Sequence, residues 1–301
     1  MKNYILKFFG RFNYPKEARK SLLALYERVE KNKDFNNLLN MYYKDDSINI
    51  DKPEGPLGDI CKKENLSFYS LKLMTYICLT KGLKKEYDKA GISEQIYYDT
   101  VEDLFYKMQE CYEVYGQWGV FSPGWYNPVF HMKTFVLGRL AYNLGEYNDI
   151  DAKIAGRTIT NGCKVINIHI PSSGKPFNKE ARLESYALAA DFFKEEFPDG
   201  YPVFKCDSWL LYEKNKEILG DKSNITSFIN DFKMVISREK DDCSNFMWRI
   251  FGKHASLPSE ELPEDTSMRR AYKQWLKKGN KLGGGMGIFM YDSINNTILN
   301  D

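Results

Sequence analysis

The chain has 301 residues, and a single core rarely grows beyond ~250–300, so two domains are expected. With 43 basic against 41 acidic side chains, the net charge is +2, which argues against a nucleic-acid or membrane partner. The six Cys are scattered without a C-x-x-C pair, no run approaches the ~20 apolar residues of a membrane span, and MKNYILKFFGRF is too short and interrupted for a signal peptide; a cytoplasmic protein with reduced thiols and no metal is expected.

The first third reads as helices. Pro15 suits a first helical turn, after which Ala18, Leu22, Leu25 and Val29 recur at helical spacing. Phe68, Leu71, Thr75 and Cys78 continue the rhythm, with Gly82 as a C-terminal stop. The clearest helix is SEQIYYDTVEDLFYKMQECYEVYG: Ser93 caps it, Gly116 ends it, and Tyr97, Val101, Leu104, Met108, Cys111 and Tyr115 form one face. Pro and Gly mark 51–59 as a loop. The segment 116–131, GQWGVFSPGWYNPVFH, reads as neither helix nor strand; its rings are expected at a domain junction or a cavity wall, with Trp118, Trp125 and Tyr126 as candidates. The domains are therefore placed at 1–130 and 131–301.

Beyond 131 the pattern alternates. Strands are expected at 140–147, 164–171, 201–212, 232–239, 246–252 and 287–292, and helices at 178–197, 224–231 and 264–279. The Gly-rich stretch 279–289 reads as a turn rather than a nucleotide loop, and Lys273, Lys277, Lys278 and Lys281 as a solvated helix face. This succession argues for an α/β or α+β sheet with helices packed on it.

One corner stands out. VINIHIPSSGKPFNKEA (165–181) runs from a β-branched strand across Pro171 and small residues into a helix near Asn178. The first amides of that helix lack partners, and with its dipole they favour an anion by roughly 0.3–1 kcal/mol. Ser172, Ser173 and Gly174 permit close approach, while Lys175 and Lys179 add positive charge. A phosphate or pyrophosphate fits such a corner; an ordinary strand-to-helix turn fits it equally. It is neither G-x-x-x-x-G-K-[ST] nor G-x-G-x-x-G.

CKVINIHIPSSGKPFNKEARLESYALAADFF, PVFKCDSWLLY and LPEDTSMRRAYKQWLKKG, with YYDTVEDLFYKMQECYEVYGQWGVF before them, resemble a two-part bacterial N-acyltransferase family. Its helical N-terminal domain precedes a GNAT-like C-terminal domain, so the resemblance implies an α+β chain: a helical N-terminal domain followed by a GNAT-like mixed α/β domain. It further implies an acyl-CoA donor, acetyl-CoA by default, and a small-molecule amine acceptor. The pyrophosphate would lie on Ile170, Ser172, Ser173, Gly174, Lys175 and Lys179, and the thioester between the strands 165–171 and 203–212. The loop departs from the GNAT pattern [QR]-x-x-G-x-[GA]. The alternative is a non-catalytic regulatory module that binds an acyl-CoA or another anion.

Acyl transfer to an amine asks for a base, and His169 stands where the resemblance puts the thioester. The other reading of His169 is a hydrogen-bonded core histidine. Asp207 and Ser208 are the further catalytic candidates, Asp207 to orient His169 or hold a cationic amine, Ser208 to donate to the thioester carbonyl. Tyr212 is a candidate acid, and Glu184 a solvated residue. Cys206 as a nucleophile conflicts with strand alternation, because it and Asp207 point to opposite faces.

Overall fold

Helical spacing governs the N-terminal part of the computed structural model, which describes residues 1–45 and 48–301. It comprises α1 (Lys2–Arg11), α2 (Lys16–Val29), α3 (Lys33–Met41), α4 (Pro56–Glu64), α5 (Phe68–Lys89), α6 (Glu94–Tyr115) and α7 (Tyr126–Phe130). Ala18, Leu22, Leu25 and Val29 are buried along α2, with Pro15 at its N-cap. The Ser93 side chain caps α6 by accepting the Ile96 amide, and Gly116 ends it at φ 65°. Tyr115 departs from the expected buried face and is 48% exposed.

Three expectations for this part need correction. Gly82 does not stop α5, which continues to Lys89; a Cβ at Gly82 would lie 2.7 Å from the Tyr43 ring, so the glycine admits a neighbour. The 51–59 loop gives way at Pro56, the first residue of α4, where proline's fixed φ is favourable. The segment 116–131 contains α7. In it, Trp125 Nε1 and the Tyr126 hydroxyl donate to Asp103 Oδ2 at 2.7 and 2.8 Å, and Trp118 stacks on Tyr112 with centroids 3.7 Å apart.

The chain divides into two units, Met1–Phe135 and Val136–Asp301. From Thr134 onward it forms β1 (Thr134–Leu137), β2 (Leu140–Glu146), β3 (Ala152–Ile154), β4 (Arg157–Ile159), β5 (Lys164–His169), α8 (Lys179–Phe192), β6 (Val203–Ser208), α9 (Asn215–Leu219), α10 (Asn224–Ile229), β7 (Lys233–Glu239), α11 (Ser244–Phe251), α12 (Ser267–Lys277), β8 (Gly283–Asp292) and β9 (Thr297–Leu299). The main sheet runs β1-β2-β5-β6-β8-β7, with β9 on β8, while β3 and β4 pair alone. Only the β5–β6 pair among the described registers is parallel, and α8 is the crossover between them. α8 buries one sheet face: its Tyr186 ring lies 5.9 Å from Phe204 and 4.8 Å from Phe289, and Ser185 Oγ accepts the Leu140 amide. Among the described residues no helix is long and apolar enough to cross a membrane.

The segment 246–252 is helical, not a strand. Phe246, Met247, Ile250 and Phe251 recur at helical spacing and pack with Leu262, Tyr272 and Leu282. The strand expected over 201–212 ends at Ser208, whose Oγ accepts the Leu210 amide and starts a short 3-10 turn. The Ser223 side chain caps α10 by accepting the Ile225 amide. Lys273 is buried and pairs with Glu264 at 2.7 Å, so it does not belong to a solvated face.

The stretch 279–289 is not simply a turn, because β8 begins at Gly283 and is buried throughout. The chain over 209–212 crosses β8 so closely that a Cβ at Gly285 would lie 2.2 Å from the Leu211 carbonyl oxygen. Backbone cannot swing aside as a side-chain tip can. Gly285→Ala is therefore expected to destabilise the protein by about 1–3 kcal/mol through overpacking, read as a lower urea midpoint at unchanged slope.

Candidate active site

β5 and β6 separate after two paired positions. Their register covers Ile166↔Phe204 and Asn167↔Lys205. Beyond it each strand stays bound to its outer neighbour, β5 to β2 as far as His169↔Ala141 and β6 to β8 as far as Ser208↔Gly285. The two strands thus open like a V at their C-terminal ends, with Ile168 and His169 on one arm and Cys206, Asp207 and Ser208 on the other.

Strand alternation sorts the side chains of this V. Ile166, Ile168, Phe204 and Cys206 fall on the face that α8 covers. Asn167, His169, Lys205 and Asp207 fall on the opposite face, joined by Asn143 of β2, which stands across from Asn167. His169 and Asp207 therefore share a face. Ser208 belongs to the other one, and its oxygen caps the following turn. Deep burial pushes the Cys206 thiol well above its ordinary range, so a thiolate nucleophile is disfavoured.

His169 Nε2 lies 2.6 Å from Asn143 Oδ1. Burial pulls its pKa down to about 4, because a desolvated imidazolium is penalised. The sequence suggests a base titrating near neutrality; the fold supplies an imidazole that stays neutral. The consequence for stability has a definite sign. Between the ordinary His value of 6.5 and about 4, the unfolded chain takes up a proton that the folded chain refuses, so stability falls as pH falls through that window. The contribution is at most about 3 kcal/mol, from 1.36 kcal/mol per pKa unit. Urea unfolding at pH 7 and pH 4.5 is expected to show a smaller loss in His169→Gln than in the wild type.

Sequence reasoning missed two charged groups, Lys205 and Arg182. Lys205 forms an ion pair with Asp149, and its ammonium lies 5.5 Å from the Tyr147 ring centroid. Asp207, a candidate from the sequence, is exposed, and its carboxylate has no hydrogen-bond or ion-pair partner among the described residues, so it is not hydrogen-bonded to His169. Arg182, one turn into α8, is fully buried against Asp231 at 2.8 Å. With Lys179, Glu180 and Glu184 beside it in sequence, nothing local marks it as buried.

The corner after β5 is held from two sides. Arg139 Nη1 donates to the Pro171 carbonyl at 2.9 Å, and Arg182 Nη1 to the Phe177 carbonyl at 3.3 Å. Both guanidinium groups lie over the Phe177 ring, at 5.2 and 5.4 Å. Ser172, Gly174, Lys175 and Lys179 are exposed between these anchors, while Ile170 and Ser173 are half-buried. Two amides are already used, Lys175 N by Ser173 Oγ and Ala181 N by the Asn178 cap. Among the described residues, the amides of Gly174, Lys179 and Glu180 donate to no partner. The corner thus offers three backbone donors to an anion, flanked by Lys179 and by Lys175, whose ammonium donates to the Gly138 carbonyl at 3.3 Å, a set that fits a pyrophosphate.

Residues 5–132 match the N-acyltransferase N-terminal domain, and residues 134–289 the GNAT-like C-terminal domain. No curated protein sequence matches the chain. An acyltransferase solved in complex with decanoyl-CoA and teicoplanin superposes with a TM-score of 0.72 at 20% identity, over 94% of this chain and 86% of that one. A mutant acyltransferase in complex with octanoyl-CoA gives 0.73 at 19%, and an acyltransferase with CoA and 10C-teicoplanin 0.72 at 19%, with the same coverage. At these identities the likeness is one of fold: a helical N-terminal part and a GNAT-like mixed sheet. The chain belongs to the family that joins an N-acyltransferase N-terminal domain to a GNAT-like C-terminal domain.

Proposed function

We propose that the protein transfers an acyl group from an acyl-CoA to the amine of a small-molecule acceptor. The observation that carries this reading is the V between β5 and β6, opening directly before a corner with vacant backbone donors. The V takes the thioester, and the corner at Ser172–Lys175, with Lys179, takes the pyrophosphate. The structural relatives are described with octanoyl- and decanoyl-CoA, so these donors belong beside acetyl-CoA in any screen.

The chemistry balances with the groups present. The amine lone pair attacks the thioester carbonyl carbon, forming the C–N bond as the carbonyl electrons move to oxygen. Their return breaks the C–S bond, and its electron pair leaves on sulfur. His169, neutral at physiological pH, accepts the proton that nitrogen loses, and that proton ends on the thiolate. Asp207, on the same sheet face, attracts a cationic acceptor. Ser208, on the other face, has no direct part in this scheme. The regulatory alternative keeps one supporting observation: the Asn178 cap and the Ser173 turn consume amides that a dedicated coenzyme site would use.

Thermal unfolding with coenzyme A, acetyl-CoA or decanoyl-CoA tests the binding, beside ATP as an anion control. Ligand at ~100 times its dissociation constant stabilises by about 2.7 kcal/mol, which raises the midpoint by roughly 5–10 °C. Gly174→Asp is expected to reduce the shift. No shift with any thioester sinks the reading. A shift without N-acylated product from an amine panel favours the regulatory module.

A further inference from the structure

We infer that Asn143 is a positioning residue that fixes which nitrogen of His169 carries the hydrogen, leaving Nδ1 as the proton acceptor. The inference rests on the acyl-transfer reading for its purpose but not for its evidence. Asn143 stands on β2 across from Asn167, and His169 across from Ala141, so the two side chains meet diagonally on one sheet face. An amide has one accepting end and one donating end. The donating end of Asn143 is committed, since Nδ2 gives a hydrogen bond to the Leu144 carbonyl at 2.8 Å. The end facing His169, 2.6 Å from Nε2, is therefore the carbonyl, which only accepts. Nε2 must carry the hydrogen, and a neutral imidazole has only one, so the basic lone pair is on Nδ1.

The neighbouring row holds this arrangement in place. A Cβ at Gly145 would come within 2.3 Å of Asn167 Nδ2, so only glycine there lets Asn167 lie beside the pair. The charged groups that β5 and β6 place on this face are Lys205, paired with Asp149, and Asp207, while β7 adds Lys233 and Arg238 farther along the sheet. Asn143 meets His169 with an uncharged amide, which does not favour imidazolium as a carboxylate would. Asparagine is thus suited to a base that must stay deprotonated, where aspartate would charge it.

The chain has three histidines, so imidazole 15N spectra of the full-length protein can be assigned by comparison with His169→Gln. At pH 7, His169 is expected as the Nε2-protonated neutral tautomer; an Nδ1-protonated or doubly protonated ring overturns the inference. Asn143→Asp keeps the acceptor and adds a charge, so the His169 titration midpoint should rise by roughly 1–3 units. Asn143→Leu removes the acceptor. It should relax the tautomer and lower kcat by about 10-fold, a part of what the general base supplies, with KM for acyl-CoA unchanged. A wild-type tautomer ratio and kcat in Asn143→Leu, with a native melting profile, overturn the role. If no amine is turned over at all, the acyl-transfer reading fails while the spectra still decide the tautomer.

Discussion

Arg182→Ala is expected to cost about 3–5 kcal/mol, the largest single loss of stability in the C-terminal unit. The guanidinium is fully buried. It donates from Nε to Asp231 Oδ2 at 2.8 Å, from Nη2 to Ser227 Oγ at 2.9 Å and from Nη1 to the Phe177 carbonyl. It also lies 5.4 and 5.6 Å from the ring centroids of Phe177 and Phe228, which pack on each other. Truncation leaves the buried Asp231 carboxylate with the Tyr186 hydroxyl, 3.0 Å away, as its remaining side-chain donor among the described residues. The penalty is the uncompensated charge more than the lost attraction, so removing both charges should recover much of it. Arg182→Met with Asp231→Leu is expected near wild-type stability. Urea unfolding of the single and double variants measures both, and a single-variant loss under about 1 kcal/mol would refute the argument. Because Arg182 also anchors the corner through Phe177, the single variant should lose coenzyme A binding under conditions where it remains folded.

His169→Ala should lower kcat by about 100-fold, the low end of what a general base supplies, and leave the dissociation constant of acyl-CoA unchanged. The low end follows from the burial that holds His169 near 4: a weak base takes a smaller share of the proton in the transition state. The same burial sets the pH profile. His169 titrates near 4, so it produces no acid limb between pH 8 and 6, and any limb there belongs to the acceptor amine, which must lose its proton to attack. Varying the acceptor's amine pKa should move that limb. A limb that stays fixed across acceptors and disappears in His169→Ala contradicts this account, and equal kcat in the two proteins removes His169 from the chemistry.

Local order made much of the fold legible. Ser93, Gly116 and the apolar face between them define α6 because capping and a 3.6-residue period act within the element itself. β2, β5, α8 and β7 were readable for the same reason. Short elements were not: β1, β3, β4 and β9 are three or four residues long, too few for any period to show. α11 reads as a strand because a brief apolar run is compatible with strand or helix until its packing partners choose. Only the first half of β8 escapes the sequence, because glycine signals a turn locally, yet Gly285 here serves the close crossing of the 209–212 segment.

The site divides along the same line. From the residues alone come a strand, a corner of small residues, a helix start and a histidine one step before the corner, because these are facts of order along the chain. The family resemblance rests on the same order. Which side chains meet is a matter of register and face, and only the sheet decides that. It brings Asn143 to His169 from 26 residues away and puts Lys205 and Asp207 on their face. It turns Ser208 to the other side and buries Arg182 against Asp231. Protonation follows from these placements too, since an imidazole's pKa depends on the water it loses on folding.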